Sequence, residues 1–370
     1  MKKKRNQKPF SLFSILSLTV FFTVLLALIV SEYSVELADL LNSTVSTAYR
    51  VAMAKLSDPF DISLFELVIA LLPIAVIIVI WLAVRRFQRG EGRVRFLVNL
   101  TSLVLLVYSG HLLALGIAYN TTELSDRLGI PTVKVTEENL AELMVSLRDE
   151  ANLLSLELQR DGEGVTDSGY TLDEISALIC DSYRDFSEEY SFPYAFDSRA
   201  KPIHYSGLMS YLSLTGIYTY YTGESNVNMK YPDFDIVFTA AHELSHQRGI
   251  LRENEANFMA YLICSRSPDP YLRYSAALSM YCYISSALYR TNPELHGEIA
   301  AGLAEAPRAD VRASNAVSRE YGDTILSDIS RTVNDLFLKS SGTGGVVSYG
   351  RVVILAVSYN EAKKASEPLP

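Results

Sequence analysis

The chain is poor in cysteine, histidine and tryptophan. Its 370 residues include three cysteines, five histidines and one tryptophan. The cysteines are Cys180, Cys264 and Cys282, and an odd count excludes a fully paired disulfide framework within one chain. No two of them have the C-x-x-C spacing of a cysteine zinc site. The sequence leaves two alternatives open, one disulfide or buried free thiols.

Positive charge is also in deficit, since 33 lysines and arginines stand against 42 aspartates and glutamates, a net charge of −9. Proteins that bind nucleic acid usually present a basic surface, so we expect no nucleic-acid partner. The glycine-rich segment 340–345 lacks the lysine of a phosphate-binding loop. We expect a flexible connector there.

Long apolar runs, by contrast, are prominent. The composition is 49% hydrophobic and the mean hydropathy is +0.15. Three runs lie within the first 120 residues, at 10–31, 62–84 and 96–118, and each approaches or exceeds the ~20 residues that cross a bilayer core. The first is longer than the apolar core of a cleaved signal peptide, and no clear cleavage site follows it, which favours an uncleaved anchor. We therefore expect a multi-pass protein with the bilayer as a partner.

The charges between these runs predict an orientation in the membrane. Five of the first eight residues are Lys or Arg, and segment 85–95 contains five arginines, whereas segment 32–61 has two positive and five negative residues. Positively charged connections stay on the cytoplasmic side. The expected order is a cytoplasmic tail (1–9), an outer loop (32–61), a cytoplasmic Arg-rich loop (85–95) and an extracytoplasmic domain (119–370) of a plasma-membrane protein.

The pattern after residue 119 predicts a mostly helical domain. Thr136 precedes acidic residues and helically spaced apolar ones, and Thr171 with Glu174 has the form of a capping box. These features predict helices over 136–160 and from Thr171 to about Tyr190. Beyond Pro270, helices are expected over 270–290, 293–304, 309–339 and 347–363.

A small β element is expected within this helical domain. Between Thr215 and Tyr231, aromatic and β-branched residues predict one or two short strands. Segment 191–203 contains two prolines and is expected to be irregular. Asp233 is expected to cap the helix that follows the strands. The predicted fold class is thus mainly α, with three transmembrane helices and a small β element before the next helix.

That helix contains the most specific motif in the chain, His242-Glu243-Leu244-Ser245-His246. Two histidines four residues apart lie one above the other on a helix, so both imidazoles can bind one metal ion. Glu243 then lies beside the ion, where it can accept a proton from a bound water. The motif predicts a zinc site with Glu243 as general base.

A catalytic zinc needs a third protein ligand. Gly249 suits the left-handed position after the motif helix, and the next helix begins near Arg252 with two carboxylates. Glu253 and Glu255 are both candidates, but they lie about 200° apart around a helix and are not expected to face the same ion. Arg252 occupies the position of the third metzincin ligand and cannot bind zinc, which excludes that pattern.

Segment 242–257 resembles the gluzincin class of metallopeptidases, in which an HExxH pair is joined by a Glu from the following helix. Glu253-Asn254-Glu255-Ala256-Asn257 is similar to the Glu-x-x-Ala-Asp or Glu-x-x-Ala-Asn frame of that class. The resemblance implies a zincin-like domain, Glu253 as third ligand and Asn257 as a group that orients a ligand. The spacing from His246 to Glu253 is shorter than is usual for gluzincins.

More of the chain is similar to a family of uncharacterised bacterial membrane proteins. They share three N-terminal spans, a Gly-Glu-x-Asn-Val-Asn segment, His-Glu-x-x-His-Gln-x-Gly and Glu-x-Glu-Ala-Asn. The matching positions here are Gly223–Asn228, His242–Gly249 and Glu253–Asn257. The function implied for that family also comes from the motif.

These patterns together predict a membrane-anchored zinc metallopeptidase that hydrolyses a peptide or protein substrate outside the cytoplasm. An edge strand beside the cleft is expected to pair with extended substrate, with Glu224, Asn226 and Asn228 as candidates. The alternatives are a non-catalytic zinc-binding sensor or scaffold, and a hydrolase of non-peptide amides at the cell envelope. His204, His296 and the tyrosines are candidates for a transition-state stabiliser.

Overall fold

The computed structural model describes residues 9–89, 92–322, 332 and 350–366. Most of the predicted tail, the end of the predicted helix 309–339, the connector 340–345 and the start of the predicted helix 347–363 lie outside these ranges. The chain forms two compact units: unit 1 is Met1–Thr121 with Tyr220–Gly223, and unit 2 is Thr122–Thr219 with Glu224–Pro370. The structure confirms the predicted mainly helical class with a small sheet and three apolar N-terminal helices.

Unit 1 contains five α-helices in the described residues: α1 (Leu12–Tyr33), α2 (Val35–Leu41), α3 (Thr47–Ser57), α4 (Leu64–Arg89) and α5 (Arg93–His111). The chain continues from α5 through a π turn and a 3-10 turn to Asn120. Three helical stretches are long and apolar enough to cross a membrane: Leu12–Tyr33, Leu64–Arg89 and Arg93–Asn120. They correspond to the three predicted runs, and this part of the prediction is confirmed.

Small polar side chains lie where α1 packs against α5. Ser14 and Ser17 of α1 and Ser102 of α5 are buried, and the Ser11 hydroxyl donates to Asn99 Oδ1 over 2.6 Å. Small residues allow close approach of two helix backbones, which is the usual basis of helix association in lipid. The helix α4 has no buried residue, so its apolar side chains are available to lipid.

The segment 32–61, predicted only as a loop, is mostly helical. It contains α2, a π turn (Asn42–Ser46) and α3. Arg50 of α3 is 1% exposed and donates to the backbone oxygens of Ala114 and Asn42 and to the side chain of Asn42. One of the two positive charges of this segment is therefore buried within unit 1.

Unit 2 contains the remaining helices of the described residues: α6 (Leu124–Arg127), α7 (Glu137–Leu154), α8 (Leu172–Tyr190), α9 (Ser206–Tyr211), α10 (Asp233–Gln247), α11 (Glu253–Ser265), α12 (Pro270–Thr291), α13 (Pro293–Ala301), α14 (Glu305–Tyr321) and α15 (Arg351–Ser366). Thr136 and Thr171 cap α7 and α8 as predicted. The apolar faces of α7, α8, α10, α11 and α12 form one core. The three cysteines are free thiols, and Cys180 and Cys264 are buried in unit 2.

A three-stranded sheet lies beside α10 in unit 2. Its strands are β1 (Ala200–Ile203), β2 (Gly216–Thr219) and β3 (Glu224–Asn228), in the order β1-β3-β2. β1 is parallel to β3, and β2 is antiparallel to it. The strands β2 and β3 confirm the predicted β element. The expectation of irregular structure over the whole of 191–203 was wrong, because Ala200–Ile203 pairs with β3 along its full length.

Candidate metal centre

The helix α10, which contains the 242–246 motif, lies largely buried inside unit 2. Nearly all its residues from Phe234 to Gln247 are buried, and the sheet packs against it. Asp233 does not cap the helix, which corrects the sequence-based expectation. Pro232 is the N-cap residue, and Asp233 Oδ2 instead accepts hydrogen bonds from the amide and hydroxyl of Ser168. Asp233 still places a carboxylate at the positive end of the helix.

Gly249 ends α10 in the left-handed conformation predicted for it, with φ +90°. The amide of Ile250 donates to Ser245 O and the amide of Gly249 to His246 O, which is the bonding pattern of a Schellman turn. The turn also places Ile250 O 2.8 Å from His246 Nδ1. A carbonyl only accepts, so Nδ1 is the protonated nitrogen and Nε2 has the free lone pair.

The first turn of α11 separates the two candidate carboxylates. Glu253 faces α10, with Oε2 3.3 Å from His242 Nε2 and Oε1 3.7 Å from His246 Nε2. Glu255 points away, accepting from the amide of Leu124 at 3.0 Å and pairing with Arg252 at 3.1 Å. The structure therefore brings Glu253, and not Glu255, to the two histidines.

His242, His246 and Glu253 form a set of donors that can hold a metal ion. One ligand atom from each lies within 4.8 Å of the others. The side chains of the two histidines are 13% and 10% exposed and that of Glu253 is 19% exposed, so the cluster is recessed but open to solvent. It is the only such group of three His, Cys, Asp or Glu residues within the ranges the structure describes.

Unsatisfied polar atoms collect around this cluster. His242 Nδ1, Glu243 Oε2 and Asn257 Nδ2 are buried and have no hydrogen-bond partner among the described residues. A buried polar group without a partner costs about 1–3 kcal/mol, so such groups are rare and often mark a ligand or water site. Asn257, one turn after Glu253, is buried beside His242.

The charges of the cluster shift its pKa values in opposite directions. Burial and the charge of His242 lower the pKa of His246 to about 4. Burial lowers the pKa of His242 too, but the hydrogen bond and charge of Glu253 outweigh it and raise the pKa. Burial raises the pKa of Glu253, but both histidines outweigh it and lower the pKa. A cation bound among these groups would favour their deprotonated forms.

Glu243 lies on the same helix between the two histidines and is 4% exposed. Burial, together with the negative charge of Glu253, raises its pKa to about 8. The backbone amide of Tyr218 donates to its carboxylate, and Gly216 lies against its side chain. Its backbone carbonyl accepts from the Ser225 hydroxyl at 3.0 Å. The sequence did not reveal these contacts, because they depend on how the strands pack on α10.

The three residues expected to line a substrate-binding edge lie elsewhere, and this expectation is corrected. Glu224, Asn226 and Asn228 are on β3, the central strand, which is paired on both sides. They are buried and make internal contacts. Glu224 pairs with Lys201 at 2.7 Å, and Asn228 Nδ2 donates to Ser210 Oγ at 2.9 Å.

The other histidines lie outside the cluster. His296 is on α13, with Nε2 2.8 Å from Ser285 Oγ, and His204 is exposed beside Tyr205. Neither is in the group that can hold a metal ion.

A comparison with known protein families identifies the chain's family. The chain matches the family described as "Protein of unknown function (DUF3810)" over residues 43–357. No curated protein and no solved structure matches the chain. The matched region includes His242, Glu243, His246 and Glu253.

Proposed function

Since the chain belongs to the DUF3810 family, whose description states no activity, we propose from the site itself that it is a membrane-anchored, zinc-dependent metallopeptidase. The observation that supports this most directly is the convergence of His242, His246 and Glu253 beside the buried carboxylate of Glu243. A purely structural zinc site usually has four protein ligands and does not need a buried carboxylate such as that of Glu243 beside it.

The donor set fits zinc. Two imidazoles and one carboxylate form one of the ligand combinations of catalytic zinc, and three protein ligands leave a position for water. His246 presents Nε2 because Ile250 fixes its other nitrogen. When bound, zinc would polarise a substrate carbonyl and lower the pKa of a bound water toward ~7.

Glu243 is the residue that moves the proton in this proposal. Its pKa of about 8 reflects how strongly burial and Glu253 favour the protonated carboxyl before any cation is bound. A nearby cation would lower that pKa, so the carboxylate can accept a proton from water and then donate it to the leaving nitrogen. The reaction is hydrolysis of a peptide bond.

The strand β2 is the place for an extended substrate. In the described residues β2 pairs with β3 on one side and with no strand on the other. It also contacts α10, which contains the motif. An extended peptide can add to such an edge through backbone hydrogen bonds, here at Gly216, since the amide of Tyr218 binds Glu243. This moves the proposed substrate strand from β3 to β2.

Metal content and hydrolysis test the proposal. Full-length protein in detergent is expected to bind one zinc and to cleave members of a mixed-sequence peptide library, with loss of cleavage in chelator. Glu243→Gln should keep the zinc and lose turnover by about 10²–10⁴-fold, the usual contribution of a general base. Glu253→Gln should lose zinc, whereas Glu255→Gln should retain it.

The outcomes separate the alternatives. A zinc-loaded protein that cleaves no peptide refutes the peptidase assignment and favours a non-catalytic sensor or scaffold. Cleavage only of non-peptide amides favours an envelope amide hydrolase. Full activity in Glu243→Gln refutes the role of that residue.

A further inference from the structure

Gly216 has an unusual position beside the motif helix. A methyl group added at its Cα would lie 2.5 Å from Glu243 Oε1, 2.7 Å from Glu243 Cγ and 2.6 Å from Thr239 Cγ2. Its backbone is not in the left-handed region, so glycine is not required there by its φ. The space that a side chain would fill is occupied by Glu243.

The alternation of hydrogen-bonded and non-hydrogen-bonded residue pairs between β2 and β3 explains how the backbone of β2 contacts Glu243. The amide of Asn228 donates to Thr215 O at 2.8 Å, so Thr215 and Asn228 face each other as a hydrogen-bonded pair. Antiparallel pairs alternate, and the register places Gly216 and Tyr218 at the positions that do not bond to β3. Their amides and carbonyls therefore point to the outer edge of the sheet, and the amide of Tyr218 donates to Glu243 there.

Both ends of Glu243 are held by the same pair of strand residues. Tyr218 and Ser225 are Cα partners in the register of β2 and β3. The amide of Tyr218 binds the carboxylate, and the hydroxyl of Ser225 binds the backbone carbonyl at 3.0 Å. Because Gly216 precedes this pair by two residues, its Cα faces the same helix.

We infer that Gly216 is a positioning residue. Because it has no side chain, the Glu243 carboxylate can lie against β2, where the backbone amide of Tyr218 binds it. The catalytic part of this inference rests on the proposed function. The structural part, that Gly216 sets the position of the Glu243 carboxylate, does not depend on the proposed function. Since Oε1 and Cγ belong to a flexible side chain, an added methyl moves Glu243 at small cost to the fold but displaces the carboxylate.

Gly216→Ala tests the catalytic meaning. Zinc content should stay at the wild-type level, because the three atoms nearest to the added methyl belong to Glu243 and Thr239 and not to a metal-binding side chain. For the best-cleaved library peptide, kcat should fall about 100-fold with KM nearly unchanged, as expected for a misplaced catalytic group. The matched control is Gly297→Ala on α13, where an added methyl meets no atom within 4 Å. Wild-type turnover in zinc-loaded Gly216→Ala overturns the inference.

A stability cycle tests the geometry without any substrate. Gly216→Ala, Glu243→Ala and the double variant are compared with their parent, all containing Thr239→Ser to remove the other methyl contact. Gly216→Ala should lower the apparent Tm by about 2–4 °C when Glu243 is intact and by much less in the Glu243→Ala background. Equal losses in both backgrounds refute the positioning role. If the wild type binds zinc but cleaves nothing, the proposed function fails while this cycle still decides the geometry.

Discussion

At the scale of single residues, α10 has a strongly shifted carboxyl outside the candidate metal centre, that of Asp235 in its first turn. Its Oδ2 is buried without a hydrogen-bond partner among the described residues. Burial raises its pKa to about 7, against the effect of a hydrogen bond from Ser314, and the charge of Asp310 acts in the same direction as burial. The folded protein therefore favours the neutral carboxyl at a position where the unfolded chain would ionise.

This shift predicts how stability depends on pH. The ordinary pKa is 3.8, so between about pH 4 and pH 7 the unfolded state loses a proton that the folded state retains. The contribution of the Asp235 carboxyl to the free energy of unfolding is thus fully present below about pH 4 and is lost as the pH rises to about 7. Asp235→Asn cannot ionise, so it should stabilise the protein by roughly 2–4 kcal/mol at pH 8 and have little effect near pH 4. Apparent Tm values of parent and variant at both pH values measure this, and an equal difference at both would contradict it.

The residues of the candidate metal centre differ in how far the sequence specifies them. His242, Glu243 and His246 follow from helical spacing alone, and Asn257 from the frame of the next helix. The choice between Glu253 and Glu255 depends on the angle at which α11 leaves the turn, which Leu124 and Arg252 influence by binding Glu255. Gly216 and Tyr218 are beyond prediction, since nothing local in their sequence indicates contact with Glu243.

At the scale of elements, the turn after α10 has two roles. Its two Schellman hydrogen bonds satisfy carbonyls at the end of the helix, and the next carbonyl, that of Ile250, orients His246. The left-handed Gly249 is therefore coupled, through a single hydrogen bond, to the orientation of the His246 ring and of its Nε2, which faces Glu253. The same short turn also sets the rotation of α11 about its axis, so that Glu253 in its first turn faces the two histidines.

Gly249→Ala should consequently weaken both stability and metal binding. A residue with a Cβ costs about 1–2 kcal/mol in the left-handed region, and relief of that strain would shift Ile250 O away from His246. We expect a lower apparent Tm and weaker zinc affinity in competition with a chromophoric chelator. The matched control is Gly164→Ala, at φ +80° in an open loop far along the chain from the site. It should lose similar stability and keep its zinc affinity; equal losses of affinity in both variants would disprove the coupling.

The elements that the sequence did not predict share one cause. β1 has the sequence Ala-Lys-Pro-Ile, which has no alternating pattern, and a proline is tolerated because this is an edge strand. Its strand form comes from pairing with β3, which lies about 25 residues later. The central position of β3 in the sheet likewise results from its pairing with β1 and β2. Contacts between distant segments decide both, whereas the capped helices α7 and α8 are decided locally.

At the scale of the whole molecule, the distribution of charge constrains how the chain meets a membrane. Arg85, Arg86 and Arg89 end α4, and Arg93 and Arg95 begin α5. In the segment between α1 and α4, Arg50 is buried in hydrogen bonds with backbone carbonyls, and Lys55 lies 3.4 Å from Asp58. That segment has only these two positive residues, against five arginines around the link between α4 and α5, and this is the contrast on which the positive-inside rule depends.

We therefore predict that the link between α4 and α5 is cytoplasmic and that unit 2, with the candidate metal centre, lies outside the cytoplasm. Single cysteines at Glu163 and at Arg89 report this in right-side-out membrane vesicles treated with a membrane-impermeant maleimide. Glu163→Cys, in an exposed loop of unit 2, should be labelled in intact vesicles, and Arg89→Cys only after lysis. The parent chain is the control, since Cys180 and Cys264 are buried and Cys282 is half-buried. Labelling of Arg89→Cys but not Glu163→Cys in intact vesicles would place the site in the cytoplasm, and the proposed substrates would then have to be cytoplasmic peptides.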